Sequence, residues 1–291
     1  MTIRTILAAA SGGAASAGAI GLACLLARRF EARVEGFHVL PDASAAFAAA
    51  GQGIGSPASV GLVNQVIEEA AVTAAQARAL FEDITRRHAI AHGSTPQLAT
   101  RRPLASWREE TGTAAAVVAR RGRFFDLVVL GRSDRVVHEP HSDAIEQTLA
   151  HSGRPVLLAP AETPSGIGYV VAVAWNGSPQ AVRALTAALP FLKKANAVSL
   201  ITAGITAGDA DAGGESILDY LAWHGVDAQP RKVAGGSGRH GGRVLLDAAR
   251  EAGADLLVMG AYGRAPWREQ LFGGATRDAV ATMPLPLLLM H

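Results

Sequence analysis

The chain has one cysteine in 291 residues, 5% aromatic residues, and no apolar run long enough to suggest a membrane span. The lone cysteine, Cys24, excludes a disulfide framework within one chain and a CxxC metal or redox pair. It lies in an apolar helical stretch and reads as a buried structural thiol. So few aromatics leave little to stack against the bases of a single-stranded nucleic acid. Charge of one sign is also missing, because 27 basic and 25 acidic residues nearly cancel to +2. Arg28-Arg29, Arg86-Arg87, Arg101-Arg102 and Arg120-Arg121 are isolated pairs, read as solvated element ends rather than a nucleic-acid groove. The apolar stretch Ile6–Ala10 after Arg4 is broken at once by Ser11-Gly12-Gly13. The next one, Ala19–Ala27, falls short of the ~20 residues that cross a bilayer. Neither export nor membrane insertion is expected, and the chain reads as cytoplasmic. His138, His141 and His151 lack acidic partners at a metal-ligand spacing, so no metal site is assigned.

What the chain does have is apolar mass and a repeat. Hydrophobic residues make up 49%, much of it alanine, which suits close packing of helices on a sheet. Its length is about twice that of a common domain. Asp126-Leu127-Val128-Val129-Leu130-Gly131 returns as Asp255-Leu256-Leu257-Val258-Met259-Gly260. A Pro-led apolar strand follows each copy, at Pro155–Leu158 and Pro286–Leu289. Each half also opens on a β-type run that meets a glycine turn and then a helix.

Strands are expected near 3–10, 33–39, 96–101, 126–131 and 155–159, and again near 168–175, 196–202, 227–233, 255–260 and 286–290. They are continuous apolar runs, which suits a parallel sheet covered on both faces. Val63, Val66, Ile67, Ala70, Ala74, Ala77, Leu80, Phe81 and Ile84 form a helical stripe read as core packing. Residues 43–59, rich in Ala, Gly and Ser, read as a loop or lid-like insertion. The domain reading is 1–160, a linker at 161–167 and 168–291.

In a doubly wound parallel sheet, ligands bind beyond the carboxyl ends of the strands, where strand order reverses. In the second half that region holds Gly260-Ala261-Tyr262-Gly263, nine residues, and then Gly273-Gly274-Ala275-Thr276 opening a helix. Glycines allow close backbone approach to a phosphate, and free N–H groups at a helix start attract anions. The spacing resembles the Gly-x2-Gly-x9-Gly-[Ser/Thr] signature of the universal stress protein family. Ala174-Trp175-Asn176-Gly177-Ser178 is similar to that family's first-strand Asp-Gly-Ser turn.

The resemblance covers essentially the whole chain and implies a tandem pair of α/β Rossmann-like (adenine nucleotide alpha hydrolase-like) domains, each with a five-stranded parallel sheet. It further implies that the last strands, Val156–Ala159 and Leu287–Met290, pair antiparallel, in place of a homodimer or beside one. In ATP-binding members the corresponding roles would fall to Asn176, Ile201, Met259, Gly260, Gly263, Gly273, Gly274 and Thr276. Mg2+ would enter only with the nucleotide. Asn176 departs from the family's Asp, and Gly274 from its Ser or Thr.

The first half departs further. Asp134 stands where Gly263 does, Ser142 and Asp143 stand opposite Gly273 and Gly274, and Ser11 replaces the family's Asp. Carboxylates there would repel a polyphosphate, so this half reads as an empty partner. No catalytic residue is assigned, and any ATP hydrolysis would be slow. The alternatives are a nucleotide-free protein-interaction module and an adenylating enzyme. The latter rests on Ser11-Gly12-Gly13-Ala14-Ala15-Ser16, which resembles the Ser-Gly-Gly-x-Asp-Ser loop of ATP pyrophosphatases without its Asp. Asp126 and Asp255, at strand starts, read as turn residues.

Overall fold

In the computed structural model the described residues are 2–42, 57–93, 102–131, 140–160, 162–203, 217–234, 241–261 and 285–291. The chain divides into two compact units. One is Arg4–Ser152 with Ala161–Thr163; the other is Gly153–Pro160 and Pro164–His291 with Met1–Ile3.

The N-terminal unit runs β1 (Thr5–Ala9), α1 (Ala14–Phe30), β2 (Arg33–Leu40), α2 (Pro57–Arg87), β3 (Ala91–His92), β4 (Leu104–Thr111), α3 (Ala114–Gly122), β5 (Leu127–Gly131) and α4 (Pro140–His151). Its strands lie in the order β3-β4-β2-β1-β5 and pair in parallel. β1 and β5 are wholly apolar at their centres, and Ile6, Leu7, Val128 and Val129 are completely buried. Neighbouring residues of β2 point to opposite faces, and each meets a different helix. Gly36 lies under Phe81 of α2, where an added methyl would come within 2.5 Å of the ring. Glu35, on the other face, is buried and accepts from Arg121 of α3 at 2.8 and 3.0 Å and from Arg33 at 2.6 Å. Two guanidiniums make this buried carboxylate tolerable; removing one partner from such a cluster costs about 3–5 kcal/mol.

The C-terminal unit contains β6 (Val156–Ala159), β7 (Val170–Trp175), α5 (Pro179–Leu192), β8 (Ala197–Ala203), α6 (Ile217–Trp223), β9 (Ala228–Val233), α7 (Gly241–Glu251), β10 (Leu256–Gly260) and β11 (Leu287–Met290). The strand order is β6-β11-β10-β7-β8-β9. All pairings from β11 to β9 are parallel, and β6 alone runs antiparallel, with Leu158 opposite Leu287 and Val156 opposite Leu289. The expected antiparallel meeting of these two strands is thus present.

The compact units part from the sequence repeat at β6. By sequence β6 closes the first half, but its backbone hydrogen bonds to β11 and its buried leucines group it with the second. One expectation falls outside the described residues and another needs correction. The third long strand of the N-terminal unit is at Leu104–Thr111; residues 96–101 lie outside the described residues. The stripe on α2 is core only in its C-terminal part. Ala74, Ala77, Phe81 and Ile84 are buried, whereas Ile67 is 53% exposed and Val63, Val66 and Ala70 are half-buried. The cause is length: 31 residues make a helix of about 46 Å, well beyond the ~27 Å of the eight-residue β2 beneath it.

Among the described residues no helix is long and apolar enough to cross a membrane.

Candidate functional site

The carboxyl ends of β7 and β10 adjoin in the C-terminal unit. From β7 the chain proceeds outward to β8 and β9 on one side, whereas β10 and β11 lie on the other, so the strand order reverses between β7 and β10. Crevices form at such a point, because the two connecting loops leave in opposite directions.

Asn176 follows the last residue of β7. Its side chain is exposed, and its Oδ1 accepts from the Ser178 N–H at 3.1 Å, closing an Asx turn. Gly177 takes φ +71, a left-handed conformation that suits glycine, and no described atom lies within 4 Å of where its Cβ would be. Ser178 then caps α5 by accepting from Ala181 N–H at 3.2 Å, and Pro179 fills the first helical position. The Asn-Gly-Ser-Pro sequence therefore builds an open turn that delivers the N-terminus of α5 to the crevice. With Oδ1 engaged, Asn176 presents its Nδ2 as a donor.

Gly260, at the end of β10, forms the opposite wall. A methyl there would lie 2.6 Å from both the Ala181 nitrogen and the Gln180 carbonyl carbon. Glycine at this position lets the strand end seat against the first turn of α5. Ile201 pairs with Ala174 of β7 and Arg231 of β9, and its side chain is wholly buried. Met259 is 5% exposed. Both side chains are buried near the strand ends. Gly263, Gly273, Gly274 and Thr276 lie outside the described residues. Asn176 and Gly260 thus stand at the carboxyl ends of the neighbouring strands β7 and β10. Gly177 and Ser178 are the site residues missing from the sequence-based assignment, although the Asn-Gly-Ser-Pro capping pattern signals them.

The N-terminal unit repeats this geometry with different chemistry. Leu7 pairs with Val128 as Ala172 pairs with Leu257, so Ser11, four residues on, takes the place of Asn176. Gly12, at φ +90, takes the place of Gly177. Gly131 likewise abuts α1, and a methyl on it would come within 2.0 Å of the Ala15 carbonyl oxygen. Here the turn's polar groups are consumed locally. Ser11 donates its N–H to Ser16 Oγ at 2.7 Å, and the two hydroxyls lie 2.9 Å apart. Asp134 lies outside the described residues, and Ser142 and Asp143 fall in the first turn of α4.

At the far end of each sheet the two aspartates of the repeat do the same work. Asp126 Oδ2 accepts from the N–H groups of Arg4 and Thr5 at 2.8 and 3.0 Å. Asp255 accepts from the N–H groups of Gly168, Tyr169 and Val170 at 2.7–3.3 Å. Asp126 ties the start of β1 to that of β5, and Asp255 the start of β7 to that of β10, away from the crevice.

Burial pushes the Cys24 thiol up to about 12, so the reactive thiolate is scarce at neutral pH. Among the described residues no group of three His, Cys, Asp or Glu side chains could hold a metal ion.

Residues 170–291 match the model of the universal stress protein family. Over those residues the chain is similar to that family. A universal stress protein from Archaeoglobus fulgidus DSM 4304 is similar over the full length. It shares 14% identity at a TM-score of 0.71, covering 100% of this chain and 99% of that one. A functionally unknown protein from Pseudomonas aeruginosa PAO1 shares 13% identity at a TM-score of 0.56, covering 99% and 92%. These two likenesses show that the same α/β fold is shared over the length of this chain. A universal stress protein solved in complex with cAMP shares 23% identity at a TM-score of 0.31, covering 42% of this chain and 96% of that one. No curated protein matches the chain.

Proposed function

We propose that the chain is a stress-response protein whose C-terminal unit binds an adenine nucleotide, ATP in the first instance. The observation that carries this reading is the open Asn176–Gly177–Ser178 turn, set beside Gly260 where the strand order reverses. Asn176 Nδ2 is placed to donate to a nucleoside hydroxyl. The Gly260–Gly263 and Gly273–Gly274 glycines, with Thr276, supply the composition of a phosphate loop. The exchange of Asp for Asn at 176 removes a charge and keeps a hydrogen-bonding group. Binding would act as a signal or a conformational stabiliser through linkage to the folded state.

The test is identification of nucleotide carried by the purified protein, then calorimetric titration of ATP, ADP, AMP and cAMP into the emptied protein. One ATP per chain, lost in Gly263→Asp, supports the reading. No carried nucleotide and no binding at millimolar ATP would sink it and leave the protein-interaction module.

A further inference from the structure

The two turns that correspond by register differ in what lies over them. In the C-terminal unit a methyl on Gly177 would meet no described atom within 4 Å. In the N-terminal unit a methyl on Gly12 would stand 3.4 Å from the Thr73 carbonyl oxygen, 3.5 Å from its Cγ2 and 3.9 Å from the Ala77 Cβ. Both contact residues belong to α2, one turn apart on the face that turns inward; Ala77 is completely buried and Thr73 half-buried. Thr73 is held there by its hydroxyl, which donates to the Glu69 carbonyl at 2.9 Å. Ala77 belongs to the same buried stripe as Ala74, Phe81 and Ile84, so the contact is anchored in the core.

We propose that α2 is a built-in seal over the N-terminal unit's turn, an autoinhibitory contact that keeps that position closed, whereas no described residue covers its C-terminal counterpart. The seal has three parts. The helix backbone at Thr73 lies against Gly12 where a bound group would have to enter. The Thr73 methyl, Cγ2, stands 3.5 Å from the Gly12 Cβ position and fills part of that space with an apolar group. Beneath it, Ser16 has already taken the Ser11 N–H. The unit is therefore shut by packing as well as by the substitutions in its glycine motif. Taking this turn as a ligand position rests on the nucleotide reading of its counterpart; the packing contact itself does not.

The experiment is hydrogen exchange, followed by mass spectrometry, on the full-length protein with and without ATP, comparing residues 11–17 with 176–182. Three proteins are compared: wild type, Ala77→Glu, which forces a charge into the buried contact, and Thr73→Ser, which deletes one methyl and keeps the back-bond. Without nucleotide, 11–17 should exchange faster in both variants, by about fourfold for the lost methyl, while 176–182 stays unchanged. With ATP, wild type should gain protection at 176–182 alone. Equal exchange at 11–17 in wild type and Thr73→Ser would overturn the seal, as would ATP protection of 11–17 in wild type. Should Ala77→Glu fail to fold, Thr73→Ser decides alone. ATP protecting neither segment, with 11–17 still loosened in Thr73→Ser, would sink the nucleotide reading and leave the seal standing.

Discussion

Single side chains fix the two ends of each sheet differently. At the end away from the crevice, Asp255 receives three backbone N–H groups. Asp255→Ala should lower stability by about 2 kcal/mol, the scale of hydrogen bonds to a charged group, read from the urea midpoint. Its counterpart Asp126→Ala should act similarly, and an unchanged midpoint in both would deny the aspartates their tethering role. His88 offers a pH test. Burial, with the Arg28 charge nearby, holds its imidazole below the usual 6.5. The folded protein therefore binds fewer protons than the unfolded chain once the pH falls through 6.5, and stability declines until the folded value is passed. His88→Gln should lose less stability than wild type between pH 7.5 and 5; equal losses would contradict the assignment.

At the scale of elements, glycine decides how strand ends meet helix starts. Gly260→Ala places a methyl 2.6 Å from the backbone of α5. It should cost about 1–3 kcal/mol through forced displacement, and weaken any nucleotide bound there by shifting the Asn176 turn. Full stability and full affinity together would show that the packing is not needed. This junction was legible in the sequence: the Asp-Leu-Leu-Val-Met-Gly repeat and the Asn-Gly-Ser-Pro turn signal their structures locally. β4 was harder to read, because Arg108, Glu109 and Glu110 break its apolar character. Its outer charges are instead satisfied across the surface, where Glu110 accepts from Arg108 and Arg120 at 2.9 and 3.0 Å. Partial burial would raise the Glu110 carboxyl, but those two bonds prevail and hold it below its ordinary range. The stripe on α2 misled in the other direction, since periodicity reports a face and cannot report how far the core beneath it extends. Half of the candidate site, Gly263 to Thr276, rests on sequence spacing alone.

For the whole molecule, one open turn and one sealed turn predict an unequal response to ligand. ATP at a hundred times its dissociation constant should add about 2.7 kcal/mol to the unfolding of whatever includes the C-terminal site. A thermal scan should then show that transition rising while probes in the N-terminal unit, such as Trp107, report little change. A rise absent from both would remove ATP as a ligand. The placement of β6 also bears on how the gene can be cut. A fragment beginning at residue 168, the boundary drawn by the repeat, leaves Leu287–Leu289 of β11 with a bare backbone edge, and that edge is a template for a second chain. A fragment beginning at residue 153 retains β6, whose antiparallel pairing keeps that edge of β11 covered.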